Sequence, residues 1–475
     1  MTQQAVADVG SMKPMPFTNY QQLVGHGRRG LRADALAIAA AGLRAADPAA
    51  ELERSLSLEG ERLIVRGEPI SGLDQRLKTD ETVVDLAGRR LFLLGAGKAT
   101  IGMAEVLDRL LGPRFTDAAV TVKRGQARPL QHVEVLESSH PVPDESSLAA
   151  GKRLLAIARQ ARADDVIIGL VTGGSSALAV APANGISFAD KVDTNRLLLA
   201  SGADIVSMNA VRKHISALKG GLLGLACGCE ILNLTVSDVV GDPLDYITDL
   251  TVPDSSTWEM AQQTCDRYVL WEVLPPAVAA RLRRAEPAQE TPRSLPAVRT
   301  WVMADTTRMC AAAQVEAARL GYHTELLGLD WEGEAREAGC ALARRVLAAG
   351  PRSCLIAGGE NTVTMAAAQS GGRGGPSQEA AVAAALELSV GADAAVLCLD
   401  SDGTDGPTDA AGGLVDDLCT GAAALTGLDL ANALAAHKAH DALLFQGDLV
   451  TTGATGTNVN DLKVALGGDW LPAGS

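Results

Sequence analysis

The chain has 475 residues, of which 47% are hydrophobic and only 3% aromatic, and it carries 49 glycines. That length exceeds one ordinary domain and points to two or three. A net charge of −15 excludes a global attraction to nucleic acid or to an anionic membrane surface, so any anionic ligand must be met by local positive charge.

Ample apolar residues, many glycines and few aromatics fit an α/β protein with tight strand-to-helix turns. No apolar run reaches the ~20 residues of a membrane span. The N-terminal stretch MTQQAVADVG has no charged region followed by an apolar core, so no export signal is expected. Of eight cysteines only Cys227 and Cys229 are close, as C-x-C, with no second pair to complete a zinc site. All eight are expected to be reduced and mostly buried, as in a cytoplasmic protein.

Residues 1–25 read as a loose tail. From Gly30 an alanine-rich helix is expected, ending before Pro48. Residues 52–90 are weakly patterned, with a short strand near Arg62 to Val65. Leu91 to Leu94 reads as a strand, Gly95-Ala96-Gly97-Lys98-Ala99 as a turn, and a helix starts near Thr100. Glycine turns between strand and helix often receive phosphate groups. Lys98 adds a flexible point charge there. The turn is neither a Walker A loop nor a complete dinucleotide fingerprint. Next, Ser139-His140-Pro141-Val142-Pro143-Asp144 is a loop fixed by two prolines, in which His140 reads as a hydrogen-bonding hinge. A helix from Gly151 to Arg162 follows.

The apolar run Val166 to Val171 reads as a buried strand. It breaks into Thr172-Gly173-Gly174-Ser175-Ser176, whose glycines let backbone N–H groups approach an anion beside two hydroxyls. Downstream, Ser207 is expected to cap a helix running to about Lys219, stopped by Gly220 and Gly221. On a helix of ~100° per residue, Asn209, Arg212, Ser216 and Lys219 share one edge, beside the apolar stripe of Val211, Ile215 and Leu218. A solvated edge is the plain alternative. Asn and Ser are poor choices for a merely solvated helix interior, which favours an anion site.

Glu230 to Val236 is a further strand, followed by Ser237-Asp238-Val239-Val240-Gly241-Asp242-Pro243. Carboxylates just past a strand end either hold Mg²⁺ or cap a turn. The proline-rich, polar stretch 285–297 reads as linker and domain boundary, with a second domain starting at Val298. There, Cys354 to Ala357 is a strand leading to Gly358-Gly359-Glu360-Asn361-Thr362. Glu360 stands at its C-terminal end, the usual ligand edge of an α/β sheet. A glycine-rich run, 371–375, opens a helix that continues through Leu388. The strand Ala394 to Leu399 enters a loop with Asp400, Asp402, Asp405 and Asp409, whose spacing is not that of an EF-hand. Last comes Thr452-Gly453-Ala454-Thr455-Gly456-Thr457-Asn458-Val459-Asn460-Asp461, rich in glycine and hydroxyls.

Taken together, GAGKA at 95–99, H-P-x-P-D at 140–144, TGGSS at 172–176, S-D-V-x-G-D at 237–242, G-T-D-G-P-T-D at 403–409 and T-G-x-T-G-T-N-V-N-D at 452–461 occur in the order of the glycerate 2-kinase family. The chain resembles that family from about Arg28 to Leu466. The resemblance implies a Rossmann-like N-terminal domain, 28–285, and a C-terminal MOFRL domain, 298–466, both α/β with largely parallel sheets and with the site in the cleft between them. It implies ATP-dependent phosphorylation of D-glycerate at its 2-hydroxyl, with Mg²⁺. Lys98 matches a functionally important lysine of the family. Arg212 or Lys219 would supply further charge for phosphate or carboxylate, and Gly95, Gly97, Gly173, Gly174, Ser175, Ser176, Asn209, Glu360, Thr455 and Asn458 would contact the nucleotide. Asp238 and Glu360 are the metal candidates, and Asp405 a candidate base. The implied partners are a sugar acid and a nucleotide, with self-association left open.

Two departures stand out. Relatives carry Ser-Gly-Pro where this chain has Thr248-Asp249-Leu250, a change beside the expected acceptor pocket. The arginine of the family's Gly-Gly-Arg-Asn-Gln-Glu segment falls on Pro376, and Arg373 is not at the matching position. Three other readings stay open: a kinase of a related longer sugar acid, a hydroxypyruvate reductase, which the missing dinucleotide fingerprint disfavours, and a binding protein without catalysis.

Overall fold

The computed structural model describes residues 15–237, 244–247, 249–365 and 372–469. The chain divides into two compact units. One is Ala45–Arg308 with Gly456–Asn460; the other is Met1–Arg44 with Met309–Thr455 and Asp461–Ser475.

The first unit is built on an eight-stranded sheet. Its middle strands are Leu91–Ala96, Phe115–Lys123, Val166–Val171, Glu230–Val236 and Val298–Ala304. They pair in parallel in the order 298–304, 230–236, 166–171, 91–96, 115–123. The expected apolar strands are here, and every residue of Leu91–Ala96 and Val166–Val171 is buried. Such continuous burial is what a parallel sheet with both faces covered requires. Val166 stands opposite Leu91 and Val171 opposite Ala96, so both strands end at one level and their following loops lie side by side. A small antiparallel sheet of Leu56–Glu59, Arg62–Arg66 and Glu81–Asp85 belongs to the same unit.

The boundary expected at 285–297 is not a linker. The Glu290 carboxylate accepts from the Trp258 N–H at 3.2 Å and lies 2.7 Å from the His214 ring. Arg293 donates to the Asp254 carbonyl at 2.6 Å. These bonds pack the proline-rich stretch into the first unit, and Val298–Ala304 becomes a strand of its sheet rather than the start of the second unit.

The second unit holds a six-stranded sheet. His323–Gly328 and Ser353–Gly358 pair in parallel, as expected for this fold class. The remaining pairings, through Asp461–Gly467, Ala394–Asp400, Gly412–Asp416 and Leu449–Val450, are antiparallel. Helices Ala335–Ala349 and Pro376–Glu387 pack on it, with Leu342, Val346, Val382 and Ala384 in a core shared with Val396 and Ala465.

The alanine-rich helix forms at Arg29–Ala45. Through residue 44 it groups with this second unit, whereas the family resemblance put residue 28 at the start of the N-terminal domain. Arg32 explains the placement. Its side chain is fully buried and donates to the Leu23 and Leu414 carbonyls at 2.8 and 2.9 Å, to Asp416 at 3.1 Å and to Asp448. Arg28 pairs with Asp417 at 2.7 Å. A buried guanidinium needs such paired acceptors, and they lie on the second unit's strands and loops.

Candidate active site

In the first unit, the loops after Leu91–Ala96 and Val166–Val171 interlock. The Thr172 N–H donates to the Ala96 carbonyl at 3.0 Å, and the Lys98 N–H to the Gly173 carbonyl at 2.9 Å. Gly97 has φ +149°, and a Cβ there would overlap the Thr172 hydroxyl at 1.9 Å. A Cβ on Gly95 would meet the Leu170 carbonyl oxygen at 2.6 Å. Close packing of adjacent strand ends therefore explains why both positions are glycine.

The TGGSS loop turns into a one-turn helix, Ser175–Leu178, with Gly174 before it at φ +86°. The Ser175 N–H is engaged by the Thr172 carbonyl at 3.2 Å. No acceptor among the described residues takes the N–H groups of Gly173 and Gly174, and both residues are partly exposed. Two other residues converge on this loop. A Cβ on Gly174 would stand 3.2 Å from Lys98 Cγ and 3.2 Å from the His140 ring. His140, expected as a hinge, thus lies against the same loop as Lys98.

The basic helix edge needs correction. The helix runs Ile205–His214 and is capped by Asp204, which accepts from the Ser207 N–H; Ser207 is not the cap. It stops because the next residues bond elsewhere. The Ile215 carbonyl accepts from the Ala183 N–H at 3.1 Å, and the Ala217 N–H donates to the Ala181 carbonyl at 2.8 Å. Asn209 and Arg212 sit on the helix, both half-buried, whereas beyond it Ser216 bridges to Pro182 and Lys219 lies in a turn.

The cations nonetheless gather. Lys219 donates to the Ser176 hydroxyl at 2.6 Å and to Asp249 at 2.6 Å. Arg212 donates to the Asn195 side-chain oxygen at 3.3 Å and has no carboxylate partner among the described residues. Burial lowers the pKa of both cations, partly offset by Asp249. Lys191, which sequence reasoning missed, is 3% exposed. Burial and then the neighbouring charge of Lys219 bring its pKa down to about 7. A lone lysine in the pattern F-A-D-K gives no signal of this. Lys213, one residue past Arg212, points the other way and sits 2.8 Å from both Asp245 and Asp254. Burial opposes its charge, but those two carboxylates win and raise its pKa.

In the second unit, Asp405 is 2% exposed and closes the N-terminus of the Pro376–Glu387 helix. Its two oxygens accept from the Ser377 N–H at 3.0 Å and the Gln378 N–H at 2.8 Å, with a further bond from the Gln378 side chain at 2.9 Å. Burial, reinforced by Asp461, raises its pKa to about 7. An acid so engaged caps that helix. Pro376 is the first residue of that helix, where proline fits because no N–H partner is lost. Asp400 is held well above the usual carboxylate range by burial and then by Asp402 and Asp461. Lys463 bridges Asp461 at 3.2 Å and the Gly359 carbonyl at 2.8 Å. Glu360 is exposed at the end of Ser353–Gly358, and Thr455 donates to the Ser401 carbonyl at 2.5 Å. Asn458 is half-buried in a segment that groups with the first unit. Asp238 lies outside the described residues. Among the described residues no three His, Cys, Asp or Glu gather into a metal cage. All eight cysteines are free, and no described helix is long and apolar enough to cross a membrane.

The chain matches two families, the domain of unknown function DUF4147 over residues 34–283 and the MOFRL family over 353–461. It is 35% identical over 435 residues to the glycerate 2-kinase of Pyrococcus horikoshii, covering 89% of this chain and 94% of that one. It is 37% identical over 390 residues to a provisionally named hydroxypyruvate reductase of Agrobacterium vitis, covering 79% and 99%. The solved structure of glycerate kinase from Thermotoga maritima superposes with a TM-score of 0.78 at 30% identity, over 92% of this chain and 99% of that one. With relatives of this identity spanning nearly its whole length, the chain belongs to the glycerate 2-kinase family.

Proposed function

We propose that the protein is a kinase that moves the γ-phosphoryl group of ATP to the 2-hydroxyl of D-glycerate and of acids sharing its 2,3-dihydroxy group. Phosphoryl transfer asks a protein mainly for positioning and charge stabilisation. The observation that carries the reading is the pair of N–H groups on Gly173 and Gly174, without acceptors among the described residues, on a loop that Lys98 also reaches. Two amides and a lysine ammonium suit the three equatorial oxygens of a phosphoryl group in transfer. Arg212, paired with no carboxylate among the described residues, suits the acceptor's carboxylate. The glycerate kinase names of the Pyrococcus and Thermotoga relatives support the same reaction.

Mg²⁺ keeps phosphate oxygens and water as most of its ligands and needs only one or two carboxylates. Glu360, exposed at a strand end, fits that modest demand. Asp405 does not, since both its oxygens are engaged by the helix it caps. The ion would add positive charge to the phosphates of ATP. The eight free thiols fit a reducing, cytoplasmic setting.

The test incubates the protein with ATP, Mg²⁺ and D-glycerate and identifies the product by phosphorus NMR. 2-Phosphoglycerate is expected. Nicotinamide-dependent turnover of hydroxypyruvate, with no phosphorylated product, would instead select the reductase reading.

A further inference from the structure

The Lys219 ammonium would be a natural receptor for the acid group of an acceptor, because it lies beside the loop that carries Gly173 and Gly174. In this chain it is already paired. Asp249 Oδ2 stands 2.6 Å from it, and the Ser176 hydroxyl 2.6 Å on another side. Asp249 is 6% exposed and Lys219 5%, so the pair is poorly screened by water and a second carboxylate would meet the field of the first. Ser176, by contrast, is exposed, which places the pair just beneath the loop's open side. The other oxygen of Asp249 accepts from no donor among the described residues. A carboxylate oxygen held in place with an open lone pair is a receptor for a hydroxyl proton. Arg212 meanwhile bonds to the Asn195 side-chain oxygen and to no carboxylate among the described residues, with Asp249 supporting its charge only through space.

We propose that Asp249 is a specificity-determining residue. Its carboxylate, seated on Lys219 beside the Gly173–Ser176 loop, selects acids that carry a hydroxyl beyond carbon 3, such as four-carbon and longer aldonates, over the three-carbon acid. This rests on the kinase reading above. The acceptor's carboxylate goes to Arg212, and the additional hydroxyl donates to Asp249. Glycerate leaves that oxygen unanswered and is used less well. A site built to hydrogen-bond a substrate hydroxyl discriminates against the analogue lacking it more strongly than an apolar pocket can. The presence of aspartate is the informative feature. A neutral side chain at this position would leave Lys219 available to an acid.

The test measures kcat/KM with ATP and Mg²⁺ for D-glycerate, D-erythronate and L-threonate, in the unaltered protein and in Asp249→Asn and Asp249→Ser. The unaltered protein is expected to use at least one four-carbon acid tenfold or more better than glycerate. Asp249→Asn, of equal size, should bring that ratio to within threefold of one, chiefly by lowering KM for glycerate. Should Asp249→Asn not fold, Asp249→Ser and the ratio in the unaltered protein decide. Equal or better use of glycerate by the unaltered protein overturns the proposal, as does a ratio that neither variant moves. Transfer to glycerate with an unmoved ratio overturns this proposal alone. Failure to phosphorylate any of the three acids overturns the kinase reading and this proposal with it.

Discussion

The ammonium of Lys191 reaches the main-chain carbonyl of Arg212 at 3.4 Å, where the Ile205–His214 helix ends. It also reaches the Ile215 carbonyl at 3.5 Å. The last carbonyls of a helix have no partner within it, and a cation there is favourable. Lys191 thus steadies the segment that carries Arg212, but with long bonds and no carboxylate paired to it among the described residues.

Burial, and then Lys219, bring the Lys191 pKa down to about 7 from 10.5. The folded state therefore binds fewer protons than the unfolded chain between those two values, and this group's contribution to stability rises with pH across that window. We expect Lys191→Met to be most favourable, relative to the unaltered protein, at pH 7 and below. Its relative stability should decline by at least ~1 kcal/mol between pH 7 and pH 9.5, a cautious fraction of the full shift. Urea denaturation at several pH values checks this, and parallel curves for the two proteins would refute it.

Lys98 leaves its strand end beside Gly174. Lys98→Ala should abolish most of kcat while leaving the melting temperature within a few degrees, because one fixed cation at a transferring phosphoryl contributes several kcal/mol. Steady-state kinetics check it. A kcat within threefold of the unaltered enzyme would remove Lys98 from the reaction.

Arg212→Met keeps the apolar stem and removes the guanidinium. If Arg212 receives the acceptor's carboxylate, KM for the acid should rise roughly tenfold or more, the scale of a lost charge-assisted hydrogen bond. KM for ATP should move much less. Equal rises in both would assign Arg212 to the nucleotide instead, and no rise in either would leave it a solvated residue.

Some of this was legible in the sequence for plain reasons. Leu91–Ala96 and Val166–Val171 are continuous apolar runs ended by glycine, and a run of that length buried on both faces has little alternative to a central parallel strand. The convergence of Lys98 with the TGGSS loop follows from those two strands being neighbours. The helix expected from Ser207 to Lys219 failed because local spacing competes with tertiary pairing. Residues 215–217 bond to 181–183, which no helical pattern records. The Asp-rich loop hid its structural role in another way. Four aspartates suggest a cation, yet Asp405 is engaged by the N-terminus of a helix that starts 29 residues earlier in the chain, at Pro376. Nor does any local pattern announce Asp249 as the partner of Lys219, which lies 30 positions before it.

Asp405 supplies the last test, because capping and proton abstraction predict opposite pairs of results. The Ser377 and Gln378 N–H groups that it satisfies are buried, as are both residues. Removing the acceptor leaves two donors of the first helical turn unsatisfied in a dry environment, at a cost of about 1–3 kcal/mol or more. A stability loss of that size lowers the melting temperature by roughly 2–4 °C per kcal/mol in a unit of this length. Asp405→Ala should therefore melt several degrees lower. At a temperature where it remains folded, it should keep kcat within about tenfold of the unaltered enzyme. Asp405→Asn, whose one remaining oxygen can still accept, should fall between the two in melting temperature. A base acting on the 2-hydroxyl would reverse this pattern, since general-base removal costs typically 10²–10⁴ in rate with the fold intact. Differential scanning calorimetry and initial rates on the same three proteins separate the two, and a large loss of kcat with an unchanged melting temperature would return Asp405 to the reaction.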